Sequence, residues 1–153
     1  MQRSQLVIVA GFPLALDRRY HAETHMWVLS TGPGRVRIGM DPLGIETSGT
    51  LAQLSFVPAG TELIAGRPFG QLEAAKFVGP LVSPVSGAVL ATNDKVAVDA
   101  GLAERHPYGA GWLIDASLSA AGELPGLLAD PAEISAWFAA KIADYRFRGV
   151  IAQ

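Results

Sequence analysis

The chain contains no cysteine. That excludes disulfides, thiol nucleophiles and cysteine-ligated zinc or iron–sulfur centres, so any sulfur chemistry has to come from an attached group. Charge is scarce as well: 17% of the 153 residues are charged, and the formal net charge is −2. Such a balance suits neither a disordered tail nor a polyphosphate-binding arm, so no nucleic-acid partner is expected. Long apolar runs are missing too. Near the start the longest is Leu6–Ala10, far short of a membrane span. Taken as Leu6–Leu16 behind Arg3, the segment mimics a secretory core, but Gly11 and Pro13 interrupt it and no clear A-x-A cleavage site follows. It reads as an ordinary first strand or tail.

What is present points to a turn-rich domain. Half of the residues are hydrophobic, with 17 glycines and ten prolines. That favours short strands joined by many turns over a helical bundle. The length suits one domain with a real core. His25–Ser30 carries Trp27 and Leu29 on alternate positions, and Thr31-Gly32-Pro33-Gly34 is a turn signal. Arg35–Met40 then alternates through Val36, Ile38 and Met40. The pattern predicts a β-hairpin. Asp41-Pro42 supplies an N-cap and a first-turn proline for a short helix toward Ser48, although Gly44 weakens it. Thr50–Val57, Phe69–Glu73 and Gly87–Ala91 read as further strands, with Pro58-Ala59-Gly60 as a turn.

Two halves echo one another. Gly49-Thr50-Leu51 leads to Ile64-Ala65-Gly66, as Gly87-Ala88-Val89 leads to Asp99-Ala100-Gly101. Equivalent corners with glycine suit a pseudo-twofold sheet fold. Residue 75 lies midway between Gly49 and Gly101, which places a central hairpin tip at Ala74–Phe77. Past Asp130 the character changes. Asp130, Pro131 and Glu133 form a helix start, and Ile134, Trp137, Phe138, Ile142 and Tyr145 make one apolar stripe before Gly149 stops it. Such a stripe predicts core packing.

Few residues offer chemistry. Lys76 sits between a strand ending at Glu73 and the Gly79-Pro80 breaker, with small or apolar neighbours and no counter-ion nearer than Glu73. A turn lysine is ordinarily a solvated charge, but a hairpin tip is also where a modifying enzyme can reach an amine. His21 and His25 are four apart, yet Glu23 is misplaced for a His-Glu-x-x-His zinc pair, so they read as structural and no metal is expected. His106 reads as a solvated loop residue beside Pro107. Lys141, Arg146 and Arg148 are a basic cluster suited to a helix C-terminus. Gly32-Pro33-Gly34 lacks the lysine of a phosphate loop, and no Gly-x-Ser-x-Gly elbow occurs. With no paired acid–base or nucleophile constellation, an enzyme acting alone has little support.

Read as blocks, the chain resembles the glycine-cleavage H-protein family. Tyr20-His21-Ala22-Glu23-Thr24-His25-Met26-Trp27-Val28 looks like its opening signature, a tyrosine with a downstream His-x-Trp. Gly39, a short helical stretch and Gly49 resemble the next block. Leu72-Glu73-Ala74-Ala75-Lys76 is similar to the lipoylation motif, in which a glutamate precedes the modified lysine by three. Ser83-Pro84-Val85-Ser86-Gly87, Asn93-Asp94 and Pro107-Tyr108-Gly109-Ala110-Gly111-Trp112 match later blocks in order. The resemblance spans Tyr20 to about Leu128. There are departures. Phe77-Val78-Gly79-Pro80 replaces the usual small residues and Ser-Asp pair, and Thr24, Met26 and His106 stand where acidic residues are common. The helix from Asp130 also runs further than in most members.

The resemblance implies a mainly β fold, a lipoyl-domain-like flattened β-barrel (barrel-sandwich hybrid) with short helices and a C-terminal helix. It implies one lipoyl carrier domain over residues 1–153, with an N-terminal segment at 1–19 and the helix at 130–148 packed on it. Lipoate would be joined to Lys76 by a lipoate ligase or lipoyl transferase, within a motif that includes Glu73. The protein would then be a cytoplasmic, non-catalytic shuttle without membrane contact. It would move an aminomethyl group and reducing equivalents between a pyridoxal-phosphate glycine decarboxylase, an aminomethyltransferase and dihydrolipoyl dehydrogenase. The departures leave two alternatives: a carrier for another complex, such as a sulfur-oxidising heterodisulfide-reductase-like system, or an unmodified binding module. Biotin, the competing hairpin-lysine group, is disfavoured because biotinyl lysines are normally flanked by methionines, where Ala75 and Phe77 stand.

Overall fold

The computed structural model describes residues 5–119, 124 and 126–153. The predicted first hairpin is there as β4 (Met26–Gly32) and β5 (Arg35–Met40), with Met26 facing Met40 and Val28 facing Ile38. Alternation on β5 buries Val36, Ile38 and Met40. Trp27 points to the opposite face, and its indole lies flat on Gly39, where a Cβ would come within 2.2 Å of the ring. Only glycine permits that contact.

β5 anchors a six-stranded antiparallel sheet. It begins with β3 (Arg19–His21) and β4, and it continues from β5 to β11 (Ile114–Leu118), β10 (Gly87–Thr92) and β7 (Glu62–Leu63). A second sheet of three strands runs β6 (Leu51–Phe56), β8 (Pro68–Ala74), β9 (Val78–Val82). Bulges between Leu51 and Gln53 and between Pro68 and Gly70 break the two-residue period. They explain why Leu51 and Leu54, and Phe69 and Leu72, are buried three apart rather than two. Side chains from both sheets meet in one core that includes Val36, Ile38, Leu54, Phe69, Leu72 and Ile114. The architecture is the expected flattened barrel-sandwich.

Gly79-Pro80 does not end a strand, contrary to its reading as a breaker. It lies inside β9, which pairs with β8 alone, so the missing N–H of Pro80 falls on an edge strand where proline is tolerated. The repeat is corrected as well. Ile64-Ala65-Gly66 is a turn in β structure with Gly66 at φ +87°, whereas Asp99-Ala100-Gly101 joins two short helices, α2 (Asp94–Val98) and α3 (Gly101–Arg105). The two corners are therefore not equivalent. The Ala74–Phe77 tip that the echo located is nevertheless a hairpin tip, between β8 and β9.

A second core flanks the sandwich. The segment read as one strand or a tail is a hairpin, β1 (Leu6–Val9) with β2 (Phe12–Ala15), turning at Ala10 and Gly11, both with positive φ. Such a turn matches the right-handed twist of paired strands. The long helix α4 (Pro131–Phe147) starts as predicted, with the Asp130 carboxylate accepting a hydrogen bond from Glu133 N–H at 3.0 Å. It stops at Gly149, φ +72°. Its Ile134, Phe138 and Ile142 are fully buried against Leu14, Tyr20, Trp27 and Leu43. The basic cluster disperses: Arg146 donates to the Ala10 carbonyl, Arg148 pairs with Asp144, and Lys141 lies over the Tyr145 ring. Arg146 thereby ties the hairpin turn to the helix end.

Candidate functional site

The site begins with a well-built short helix. The Asp41 side chain accepts from Gly44 N–H at 2.9 Å, and α1 (Pro42–Ser48) follows with proline in its first turn. Gly44, a weak helix former, has a packing reason. A Cβ there would lie 2.6 Å from His25 Cβ, so its absence lets His25 sit against the helix. At the other end of α1, Gly49 adopts φ +83°. The chain can then turn sharply beside the β8–β9 tip, where any Cβ would press on Ala75 and Lys76 at 3.1–3.2 Å.

Backbone hydrogen bonds fasten the tip to this turn. Ala75 N–H donates to the Thr50 carbonyl and Lys76 N–H to the Ser48 carbonyl, each at 2.9 Å, while Ala74 N–H closes the hairpin on Phe77. The Lys76 main chain is therefore held firmly, whereas its side chain is exposed and forms no ion pair among the described residues. A fixed root with a free amine is the geometry that covalent attachment of a long arm requires. Glu73 projects outward from β8, one residue after the buried Leu72, and is exposed.

Lys76 borders a groove of about 480 Å³. Met26, Met40, Leu72, Leu81 and Val82 give it apolar walls, Phe77 lies at its edge, and Glu23, His25 and Tyr145 also line it. Phe77 folds back over Gly79, where a Cβ would lie 2.6 Å from the ring. A smaller recess of about 260 Å³ lies beside the same lysine and carries Glu46 and Glu104. The Glu104 carboxylate also accepts from Leu51 N–H, so α3 is bound to the strand behind the tip. An exposed amine beside a groove with apolar walls fits a lipoyl arm, whose chain is apolar.

The histidines separate. His21 Nδ1 lies 2.9 Å from Thr24 Oγ1. His25, with φ +60° and only 5% exposure, places Nδ1 2.9 Å from Asp41 Oδ2 and Nε2 2.9 Å from Tyr145 Oη. The Tyr145 phenol is held above its ordinary pKa, chiefly by burial and secondarily by the negative charge of Asp41. His106 is exposed after α3 and is not part of the groove wall. Asp41 and Tyr145 were invisible as site residues in the sequence. The one reads as a helix cap and the other as a core position, and nothing local joins residues 104 apart.

Comparison with known proteins follows the same geometry. The family model described as glycine cleavage H-protein matches residues 18–139. The glycine cleavage system H protein of Mycobacteroides abscessus is 34% identical over 118 residues, covering 77% of this chain and 90% of the relative. That of Mycobacterium leprae is 37% identical over 113 residues, or 74% and 85%. The crystal structure of a glycine cleavage system H protein from Mycobacterium marinum superposes with a TM-score of 0.70 at 30% identity, over 80% of this chain and 97% of that one. With the match spanning the sandwich, the anchored tip and the start of α4, the chain belongs to the glycine cleavage H-protein family.

Proposed function

We propose that Lys76 is the residue through which this chain carries lipoate, as a mobile carrier in the glycine cleavage system. The observation that carries the reading is the free, exposed amine on a backbone-anchored hairpin tip at the edge of an apolar groove. When attached, the lipoyl group supplies a redox-active dithiolane that the cysteine-free chain lacks. The chain's own part is mechanical. The tip fixes where the arm starts, and tethering raises the effective concentration of its head at each enzyme visited. Groove walls formed by Met26, Met40, Leu72 and Leu81 would shield whatever rests between them from part of the solvent.

In this reading Glu73 serves recognition by the attaching ligase or transferase. The partners are a pyridoxal-phosphate decarboxylase, an aminomethyltransferase and dihydrolipoyl dehydrogenase, met in the cytoplasm, and the chain performs no catalysis itself. The relatives named above are glycine cleavage system H proteins, which favours this system over a sulfur-oxidising one. Among the described residues no helix is long and apolar enough to cross a membrane. Intact-mass measurement of protein from its native cells tests the attachment. A lipoyl increment that maps to Lys76, and that vanishes in Lys76→Arg with the melting curve unchanged, is the expected result. An unmodified mass in cells that lipoylate other proteins would mean the fold serves as a bare binding module.

A further inference from the structure

His25 and Tyr145 in the groove wall, with Asp41 behind them, are three polar side chains that the carrier reading leaves unused. Asp41 is fully buried at the start of α1 and has one oxygen on Gly44 N–H and the other on His25 Nδ1. With Asp41 as the acceptor and a neutral imidazole, the ring proton sits on Nδ1. The lone pair of Nε2 then receives the Tyr145 hydroxyl proton across 2.9 Å. With its proton committed inward, the phenolic oxygen offers the groove only lone pairs. Such a chain polarises each successive bond and makes its last oxygen a better acceptor.

The other hydroxyls near the groove are committed differently. Thr47 and Ser48 both donate to the Gly44 carbonyl, and Thr24 faces His21. None of them is backed by a buried carboxylate. Around Tyr145 the nearby charges are Asp41 behind His25, and Lys141, Asp144 and Arg148 on its own helix, with Arg148 paired to Asp144. Tyr145 also lies beyond residue 139, where the family match ends. Helix α4 is fixed by Phe138 and Ile142 in the flanking core, so the acceptor is held in place rather than presented on a loose tail.

We infer that Tyr145, backed by His25 and Asp41, is a positioning residue whose phenolic oxygen accepts a hydrogen bond from a donor on the head of the arm attached at Lys76. The inference rests on the carrier reading. The shared chemistry is a hydrogen-bond donor, which is either a thiol of the reduced arm or the amine of a cargo. The part of α4 beyond the family match would thereby add a polar anchor to the groove wall.

The test uses the full chain, labelled with ¹⁵N-histidine and lipoylated by a lipoate ligase. The His25 Nε2 resonance is followed in the oxidised form, in the reduced form, and after treatment with glycine and glycine decarboxylase. Movement in the reduced form identifies the thiol, and movement only after glycine treatment identifies the amine. Either movement should disappear in Tyr145→Phe and in Lys76→Arg, which carries no arm. An Nε2 signal that stays put in every lipoylated form overturns the inference, as does a movement that persists in Tyr145→Phe. Because the wild-type measurement stands alone, a variant that folds poorly does not rescue the idea. A lipoyl increment absent from the intact mass would instead overturn the carrier reading itself, before any spectrum is taken.

Discussion

Lys76 and His25 border the same groove, yet they are held in contrasting ways. Lys76 is fastened through its main chain, and its side chain stays exposed without an ion pair among the described residues. His25 is 5% exposed and is held through both ring nitrogens, with Trp137 and Tyr145 rings within 6 Å. On the proposed carrier reading, a lysine that is acylated and then moves needs a rigid root and a free tip. His25, engaged by Asp41 and Tyr145 from two other elements, has its polar atoms fixed in advance. One groove contains both designs, and their energetic consequences differ.

The sharpest way to break that contrast is to loosen the flank that holds Tyr145. Phe138→Ala should cost about 3–5 kcal/mol in urea unfolding, the usual range for emptying a buried aromatic site. Lys76→Arg should stay within about 0.5 kcal/mol of wild type. Equal effects from the two would show that the tip is as embedded as the flank. Asp41→Ala comes next, at about 2 kcal/mol, since it removes the α1 cap and leaves a buried imidazole nitrogen without its hydrogen-bond partner. A loss of a few tenths would mean that the His25 network contributes little.

Smaller effects sharpen the description of the tip. Gly49→Ala should cost at least about 1 kcal/mol, because φ +83° with ψ −170° is a backbone region essentially reserved for glycine. It should also slow lipoylation, because the new methyl group presses on Ala75 and Lys76. Unchanged lipoylation kinetics would show that the turn does not set the presentation of the lysine.

The smallest effect near neutrality is the pH dependence of the phenols. Tyr20, Tyr108 and Tyr145 are all held above their ordinary pKa, first of all by burial. Above about pH 10 the unfolded chain releases phenolic protons that the folded one retains. Their stability contribution is therefore intact below that pH and lost as pH rises toward the folded values. Urea midpoints should fall between pH 9 and pH 11, less steeply in Tyr145→Phe. A flat profile would contradict the burial of these hydroxyls.

Much of the site was legible because its signals are local. Asp41-Pro42 announced a helix start and became one. Ala74–Phe77 announced a hairpin tip, and the tip carries Lys76. Pro80 misled because proline excludes a central strand but not an edge strand, and edge position is a property of the assembled sheet. The bulges in β6 and β8 hid the strand period for the same reason. Tyr145 was read as an ordinary member of an apolar stripe. Its hydroxyl has meaning only once α4 packs beside His25.

The sequence by itself determined the caps, the turns and the exposed lysine at a tip, together with the absence of any native sulfur nucleophile. Each follows from a few neighbouring residues and their backbone preferences. Tertiary structure alone decided which strands lie at an edge and that Gly39 must stay bare under Trp27. It alone also linked Asp41, His25 and Tyr145 at the wall of the groove that Lys76 borders. These features depend on contacts between distant segments, and such contacts exist only after two separate cores have closed.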